Sequence, residues 1–420
     1  MHYLKINDSD KKKIGYLIHL YRTQQFKHLS QNSFLLNEYN EPICTRQTLS
    51  KIEQGVIIKN DSIYEELLKK VNLKFNTDYC IEEFLPTSIF SDLLNACDYY
   101  NLEKLISISE SYIKQLNPFK EYIFFHEYYE CFKWIYTYYS SFELLTLQST
   151  EYIISLKNII NSNLYEVMMD LVFKKRTISG IYDFSYFDFK NSNSMINRGN
   201  HMMILYNQSK LSEMLDYCQD LEEEYSSKNN YIRLLDIYSL KGFAFSNTEK
   251  EKFEKLVSQI NHTVEAHNSN IPEIKKSQLL KNIGLQAFRI DMYDIAINYL
   301  EQYIAMDSPY ANIVGIDLCI SYQKTNKINQ LKYFIQSKEV YKGDSQYENL
   351  LNYFILKYTY QTDNDELSYF IVNKVPIIID NTMGKYKQFF YEELNMLVEQ
   401  TKRYKDLKTY LDSTSDMLPI

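Results

Sequence analysis

The chain has 420 residues and a formal net charge of −8, with 45% hydrophobic and 24% charged residues. That is too long for one simple core, so two or more domains or a repeat array are expected, with the composition of a soluble globular protein. Only 9 Gly and 7 Pro are present, which predicts few turns with positive φ and favours helices joined by short connections over an all-β fold.

No run approaches the ~18–20 apolar residues of a membrane span. Met1–Lys13 is polar, without the apolar core of a secretory leader, so a cytoplasmic protein with no membrane partner is expected. The six cysteines (Cys44, Cys80, Cys97, Cys131, Cys218 and Cys319) show no CxxC or other zinc spacing, and free thiols in a reducing compartment are expected. The histidines form no HExxH or HxH pattern and no Gly-rich phosphate loop occurs. No catalytic constellation, metal site or cofactor site follows, and the chain reads as a non-enzyme.

Charge is unevenly spread. Residues 1–75 hold 12 Lys/Arg against 8 Asp/Glu, whereas the rest hold 34 against 46. A basic head on an acidic body fits a small nucleic-acid module joined to something that does not bind nucleic acid.

In chain order, a first helix is predicted over Lys11–Gln25, with Ile14, Leu17, Ile18 and Tyr21 on one face. Ser30 can cap a second helix that buries Phe34 and Leu35. A loop over Asn37–Ile43 leads to Thr45, which can cap a third helix, Arg46–Gln54, stopped by Gly55. There Leu49 and Ile52 face inward, leaving Arg46, Gln47, Ser50 and Lys51 outside. A fourth helix opens with Ser62-Ile63-Tyr64-Glu65, at capping-box spacing.

Leu29-Ser30-Gln31, Phe34-Leu35 and Thr45-Arg46-Gln47-Thr48-Leu49-Ser50-Lys51-Ile52-Glu53-Gln54-Gly55 together resemble the phage-repressor (XRE) type of helix-turn-helix, and Ile14–Arg22 is similar to its first helix. The resemblance covers residues 11–73. It implies a lambda-repressor-like DNA-binding domain whose recognition helix starts at Thr45. Gln31, Thr45, Arg46, Gln47, Thr48, Ser50 and Lys51 would then face DNA, with Arg46 and Gln47 suited to guanine and adenine edges. Ser30, Lys51 and Lys59 would suit phosphates. Arg22 and Glu53 match a family pair that forms an internal salt bridge. The turn before Thr45 is about four residues longer than in that motif, and Gln25–His28 is also lengthened.

From Phe84 onward helical segments alternate with short polar breaks. From Ser277, Leu280, Ile283, Gly284 and Ala287, then Ala296, Leu300 and Tyr303, then Pro309, resemble a tetratricopeptide unit of about 34 residues. A unit from Ala311 carries Leu318, Tyr322, Leu331 and Phe334. Weaker versions span Ile89–Leu116, Ile196–Leu221, Leu234–Ile260, Glu348–Ile371 and Gln388–Leu411. About eight or nine hairpins of roughly 34–40 residues would fit. Lys374–Asp380 breaks the helical pattern and reads as a loop or capping contact. The resemblance implies a concave groove lined by Asn197, Asn200, Asn207, Lys281, Phe288, Asn312, Tyr322, Asn349 and Asn352. Asn amides there could both donate to and accept from an extended peptide.

The expected fold class is all-α: a helix-turn-helix domain (1–73), a linker (74–86) and a tetratricopeptide-like α-solenoid (87–420). This layout resembles the peptide-pheromone-responsive RRNPP regulators of Gram-positive bacteria. It implies a quorum-sensing homodimer that reads an inverted-repeat operator in double-stranded DNA and is switched by a short signalling peptide. Two other readings fit the pattern: a regulator whose repeats bind a protein partner, and a repeat scaffold with a vestigial head.

Overall fold

The computed structural model describes residues 6–75, 81–245, 247–306, 311–337, 345–379 and 384–414. Among them the chain is all-α, with two isolated β-bridges and no strand. It forms two compact units, Met1–Arg233 and Leu234–Ile420. No helix among the described residues is long and apolar enough to cross a membrane.

The first unit opens with α1 (Asp8–Gln24), α2 (Gln31–Phe34), α3 (Arg46–Glu53) and α4 (Asp61–Lys70). Helix α1 begins a turn before Lys11, because Asn7 caps it by accepting the Asp10 amide at 2.8 Å. Helix α4 is capped by Asn60, not Ser62: Asn60 Oδ1 accepts both the Ser62 amide and the Ser62 hydroxyl. Ile14, Leu17, Ile18, Phe34, Leu49, Ile52, Tyr64 and Leu67 are fully buried. Gly15 lets α1 and α3 touch, since a Cβ there would lie 2.1 Å from the Ile52 carbonyl oxygen.

Next come α5 (Ile81–Phe84), α6 (Thr87–Asp98), α7 (Leu102–Leu116), α8 (Phe125–Ser141), α9 (Leu147–Ser155), α10 (Ser162–Ile178), α11 (Met195–Asn207) and α12 (Leu211–Ser227). One hydrophobic core runs from Ile6 through α1–α4 into α6–α10. The expected linker is held at both described ends. Lys74 exchanges backbone hydrogen bonds with Glu121 and Ile123, and the Phe84 ring packs on Phe119 and Phe125. The hydroxyl of Tyr21 in α1 donates to the buried Glu127 of α8 and lies 2.9 Å from the Tyr152 hydroxyl of α9. The N-terminal helices are therefore docked on α8 and α9, in part through a buried polar cluster.

The division between units falls within α13 (Tyr231–Phe243). The second unit continues with α14 (Lys250–Ala266), α15 (Glu273–Arg289), α16 (Tyr293–Ala305), α17 (Ala311–Lys324), α18 (Ile328–Gln336), α19 (Ser345–Ile355), α20 (Asn364–Asn373), α21 (Val375–Ile378), α22 (Gly384–Thr401) and α23 (Tyr404–Ser413). Helices α15 and α16 meet at Gly284, where a Cβ would fall 2.4 Å from Leu300 Cδ2. Ile283, Ala287, Ala296, Leu300 and Tyr303 are buried around that contact. Pro309 and Cys80 lie outside the described residues. The segment from Lys374 is not a loop: Val375–Ile378 makes a helical turn with Pro376 at its start, where the missing amide costs no helical hydrogen bond.

The scarcity of glycine does not make positive φ scarce. Tyr100, Ser209, Asn229, Asp291 and Asn326 all adopt it, each in the middle of a three-residue break between two helices. In every case the next amide reaches back five residues: Asn101 to Ala96, Lys210 to Leu205, Asn230 to Tyr225, Met292 to Ala287 and Lys327 to Tyr322. This is the Schellman closure that glycine usually provides. Asn and Asp tolerate the left-handed conformation better than most residues, so an Asn-rich chain can turn repeatedly without glycine.

Candidate nucleic-acid interface and ligand groove

Helix α3 is short and held at both ends. Thr45 Oγ1 accepts the Thr48 amide at 3.1 Å. At the other end Gly55, at φ 78°, lets the Val56 amide reach the Lys51 carbonyl. Leu49 and Ile52 are wholly buried, fixing the helix's rotation. Thr45, Arg46, Gln47 and Lys51 are consequently exposed, and Thr48, Ser50 and Gln31 are half-buried beside them. Ser30 caps α2, accepting the Ser33 amide.

Two contacts orient this surface. Arg22 grips Glu53 with two hydrogen bonds, of 2.6 and 2.9 Å, and His19 Nδ1 sits 3.2 Å from the same carboxylate. The Glu53 hydrogen bond raises the Arg22 guanidinium above its usual range against the opposing effect of burial. Arg46 Nε donates to Asn32 Oδ1, tying the outer faces of α2 and α3 together.

The long turn between α2 and α3 loops out and closes on itself. The Ile43 amide donates to the Leu35 carbonyl at 2.8 Å, and Leu36 pairs with Pro42. Asn37 Oδ1 accepts the Tyr39 and Glu41 amides, with Asn40 at positive φ at the tip. Lys70 Nζ donates to the Leu36 carbonyl. The added residues therefore leave α2 and α3 in contact.

Several of the residues expected to bind peptide are interior. Asn197 is fully buried; its amide donates to the Glu166 carbonyl at 2.8 Å and to the Glu166 carboxylate at 2.9 Å. Asn200 is half-buried and donates to Asp170 at 3.1 Å. Both amides donate to buried carboxylates. Phe288 is buried against Tyr293 and Tyr386, and Tyr322 is buried with its hydroxyl donating to Glu301; both belong to the interior. Lys281 is half-buried, and burial holds its ammonium below the usual lysine range. Asn207 and Asn349 are exposed and Asn352 is half-buried. The side chain of Asn312 lies outside the described residues.

The buried carboxylates were missed at the sequence level. Burial raises the Asp98 carboxyl above its ordinary range, against the opposing effect of nearby Arg233. Asp98 Oδ1 accepts the Ser194 hydroxyl and the Ile196 amide. Arg233 Nε and Asn230 Nδ2 both donate to the Asp98 carbonyl. Asp170 was the most visible of the group, because it interrupts the apolar run Met168-Met169-Asp170-Leu171-Val172.

The second unit does offer a concavity. A cavity of about 600 Å³ lies between α14, α15 and α16, with Ile260, Val264, Leu279 and Ile283 among its apolar lining and Asn298 and Gln302 among its polar lining. Neither Lys281 nor Phe288 is in its lining. Among the described residues no cluster of His, Cys, Asp or Glu is placed to hold a metal ion. No protein-family model, curated protein or solved structure matches the chain.

Proposed function

We propose that this chain is a sequence-specific DNA-binding transcription regulator, acting in the cytoplasm and controlled by a short peptide bound to its helical repeats. The observation that carries the reading is the outer face of α3. Arg46, Gln47 and Lys51 are exposed on a helix capped by Thr45 and braced by Arg22–Glu53. An exposed, rigid, polar helix of this kind suits insertion into a major groove, with Arg and Gln reading base edges. The α1–α4 segment serves as a helix-turn-helix domain and the later hairpins as tetratricopeptide-like repeats. Two copies would read an inverted repeat. The α14–α16 cavity, with an apolar floor edged by amides and by Glu265, Glu273 and Lys276, suits a short peptide with apolar side chains better than the expected asparagine row does.

The test is selection of a preferred duplex from random sequence, followed by titration of variants. Arg46→Ala or Gln47→Ala should each weaken binding about 5–150-fold, the value of a bidentate base contact. Affinity should fall steeply with salt. Failure to enrich any sequence, or wild-type affinity in both variants, overturns the reading. A peptide encoded beside the gene should bind the full chain and shift its DNA affinity, and Leu279→Glu should abolish that response.

A further inference from the structure

We propose that a second cavity, between α1, α8 and α9, binds a small organic cation, a guanidinium or primary ammonium on a short chain, and that occupation stiffens the N-terminal helices. The cavity measures about 320 Å³, and its lining includes Gln25, His126, Glu130, Trp134, Gln148 and Tyr152. No Lys or Arg lines it. The Trp134 and Tyr152 rings form an aromatic corner, with centroids 5.9 Å apart at 71°. Aromatic faces attract cations.

The polar lining carries one carboxylate, together with amides, hydroxyls and an imidazole that can each accept a hydrogen bond. Glu130 contributes a carboxylate whose side chain is 21% exposed; Lys133 Nζ lies 3.8 Å away on a largely exposed side chain. His126 Nδ1 is 3.0 Å from the Lys120 carbonyl. A carbonyl only accepts, so Nδ1 carries the proton and Nε2 is left as an acceptor whenever the ring is neutral. The side-chain amides of Gln24, Gln25 and Gln148 can turn either a carbonyl oxygen or an NH2 group toward a ligand, so they accommodate a cation without selecting it. Glu130 and the aromatic corner favour a positively charged head group, whereas an anion would face Glu130 with no lining Lys or Arg to offset it.

The coupling runs through Tyr152. It is buried, lines the cavity, and its hydroxyl is 2.9 Å from that of Tyr21. Tyr21 is itself a core residue of α1 and donates to Glu127. A ligand held against Tyr152 therefore restrains a side chain bonded into the core of the N-terminal helices.

Trp134 is the single tryptophan of the chain, so its fluorescence reports on this cavity alone. Titration of the full chain with agmatine and with L-arginine should give a saturable change. L-citrulline, nearly isosteric with arginine but uncharged on its side chain, should bind at least about tenfold more weakly. Glu130→Gln should weaken agmatine binding about tenfold or more, at an unchanged melting temperature. Agmatine should also slow amide hydrogen exchange in α1–α4 of the wild type, and this effect should vanish in Tyr152→Phe. No saturable change, equal binding of citrulline, or wild-type affinity in Glu130→Gln overturns the site. Binding without slower exchange in α1–α4 overturns the coupling. None of these measurements uses DNA, so their failure is distinct from failure of the proposed function.

Discussion

Helices α3 and α11 carry polar side chains at similar spacing, yet they use them in opposite ways. On α3, Leu49 and Ile52 are buried in the core, and Arg46, Gln47 and Lys51 are left to solvent. On α11, Met195, Ile196 and Leu205 are buried, and so is Asn197 on another side, against Glu166. A helix at the edge of a small bundle has one buried face. A helix enclosed by neighbours is packed on several sides, and a polar residue there becomes internal glue, because a buried polar group left without a partner is costly.

The largest expected effect sharpens this contrast by titrating a charge in the interior of the second unit. Asp317 on α17 is buried and accepts the Tyr386 hydroxyl at 2.9 Å; burial pushes its carboxyl up to about 7. The unfolded chain ionises near ~3.9. Between those values the folded protein holds a proton that the unfolded chain has lost, so stability falls as pH rises from about 4 to 7 and then levels off. Asp317→Asn keeps the acceptor and removes the ionisation. It should stabilise the second unit by up to about 4 kcal/mol at pH 8 and much less at pH 5. Urea unfolding at both pH values measures this; an equal shift at both would refute buried ionisation.

Gly15→Ala attacks the other side of the comparison, the single core beneath α3. The new methyl would meet backbone at Ile52, which cannot rotate away. A loss of about 3 kcal/mol is expected, confined to α1–α4 and the helices sharing their core, and visible by hydrogen exchange. Unaltered protection in α3 would show that α1 and α3 can separate freely.

Asn197→Ala comes next. It removes buried hydrogen bonds to the Glu166 carbonyl and carboxylate, although Ser192 and Asn193 still donate to the carboxylate, at a cost of about 1.5–3 kcal/mol. If Asn197 instead served a ligand, the variant would melt like the wild type and lose peptide affinity.

These contrasts explain what could be read from residues alone. The caps at Ser30 and Thr45 and the stop at Gly55 depend on neighbours within a turn, and they appear where expected. The Arg22–Glu53 pair followed from the motif and is formed. The asparagines failed as a guide because one residue type serves three purposes. It closes left-handed turns at Asn229 and Asn326, caps helices at Asn7 and Asn60, and fills buried polar sites at Asn197 and Asn230. Choosing among these requires knowing which helix lies opposite, a non-local fact that spacing does not hold. The cavity beside Trp134 was hidden for the same reason, being assembled from α1, α8 and α9.

The smallest expected effect on stability is the most discriminating. Arg46→Ala removes an exposed side chain whose hydrogen bond to Asn32 is also at the surface. Such changes usually alter stability by no more than about 0.5 kcal/mol, so the melting curve should overlay that of the wild type. Sequence-selective DNA binding should nevertheless drop, with the loss concentrated at one base position of each half-site. A matched loss of stability would make Arg46 a strut between α2 and α3, erasing the distinction from Asn197. A uniform loss across all sequences would move Arg46 from the base edge to the phosphates. Only a selective loss on an unchanged fold keeps α3 as a reading surface and α11 as part of the interior.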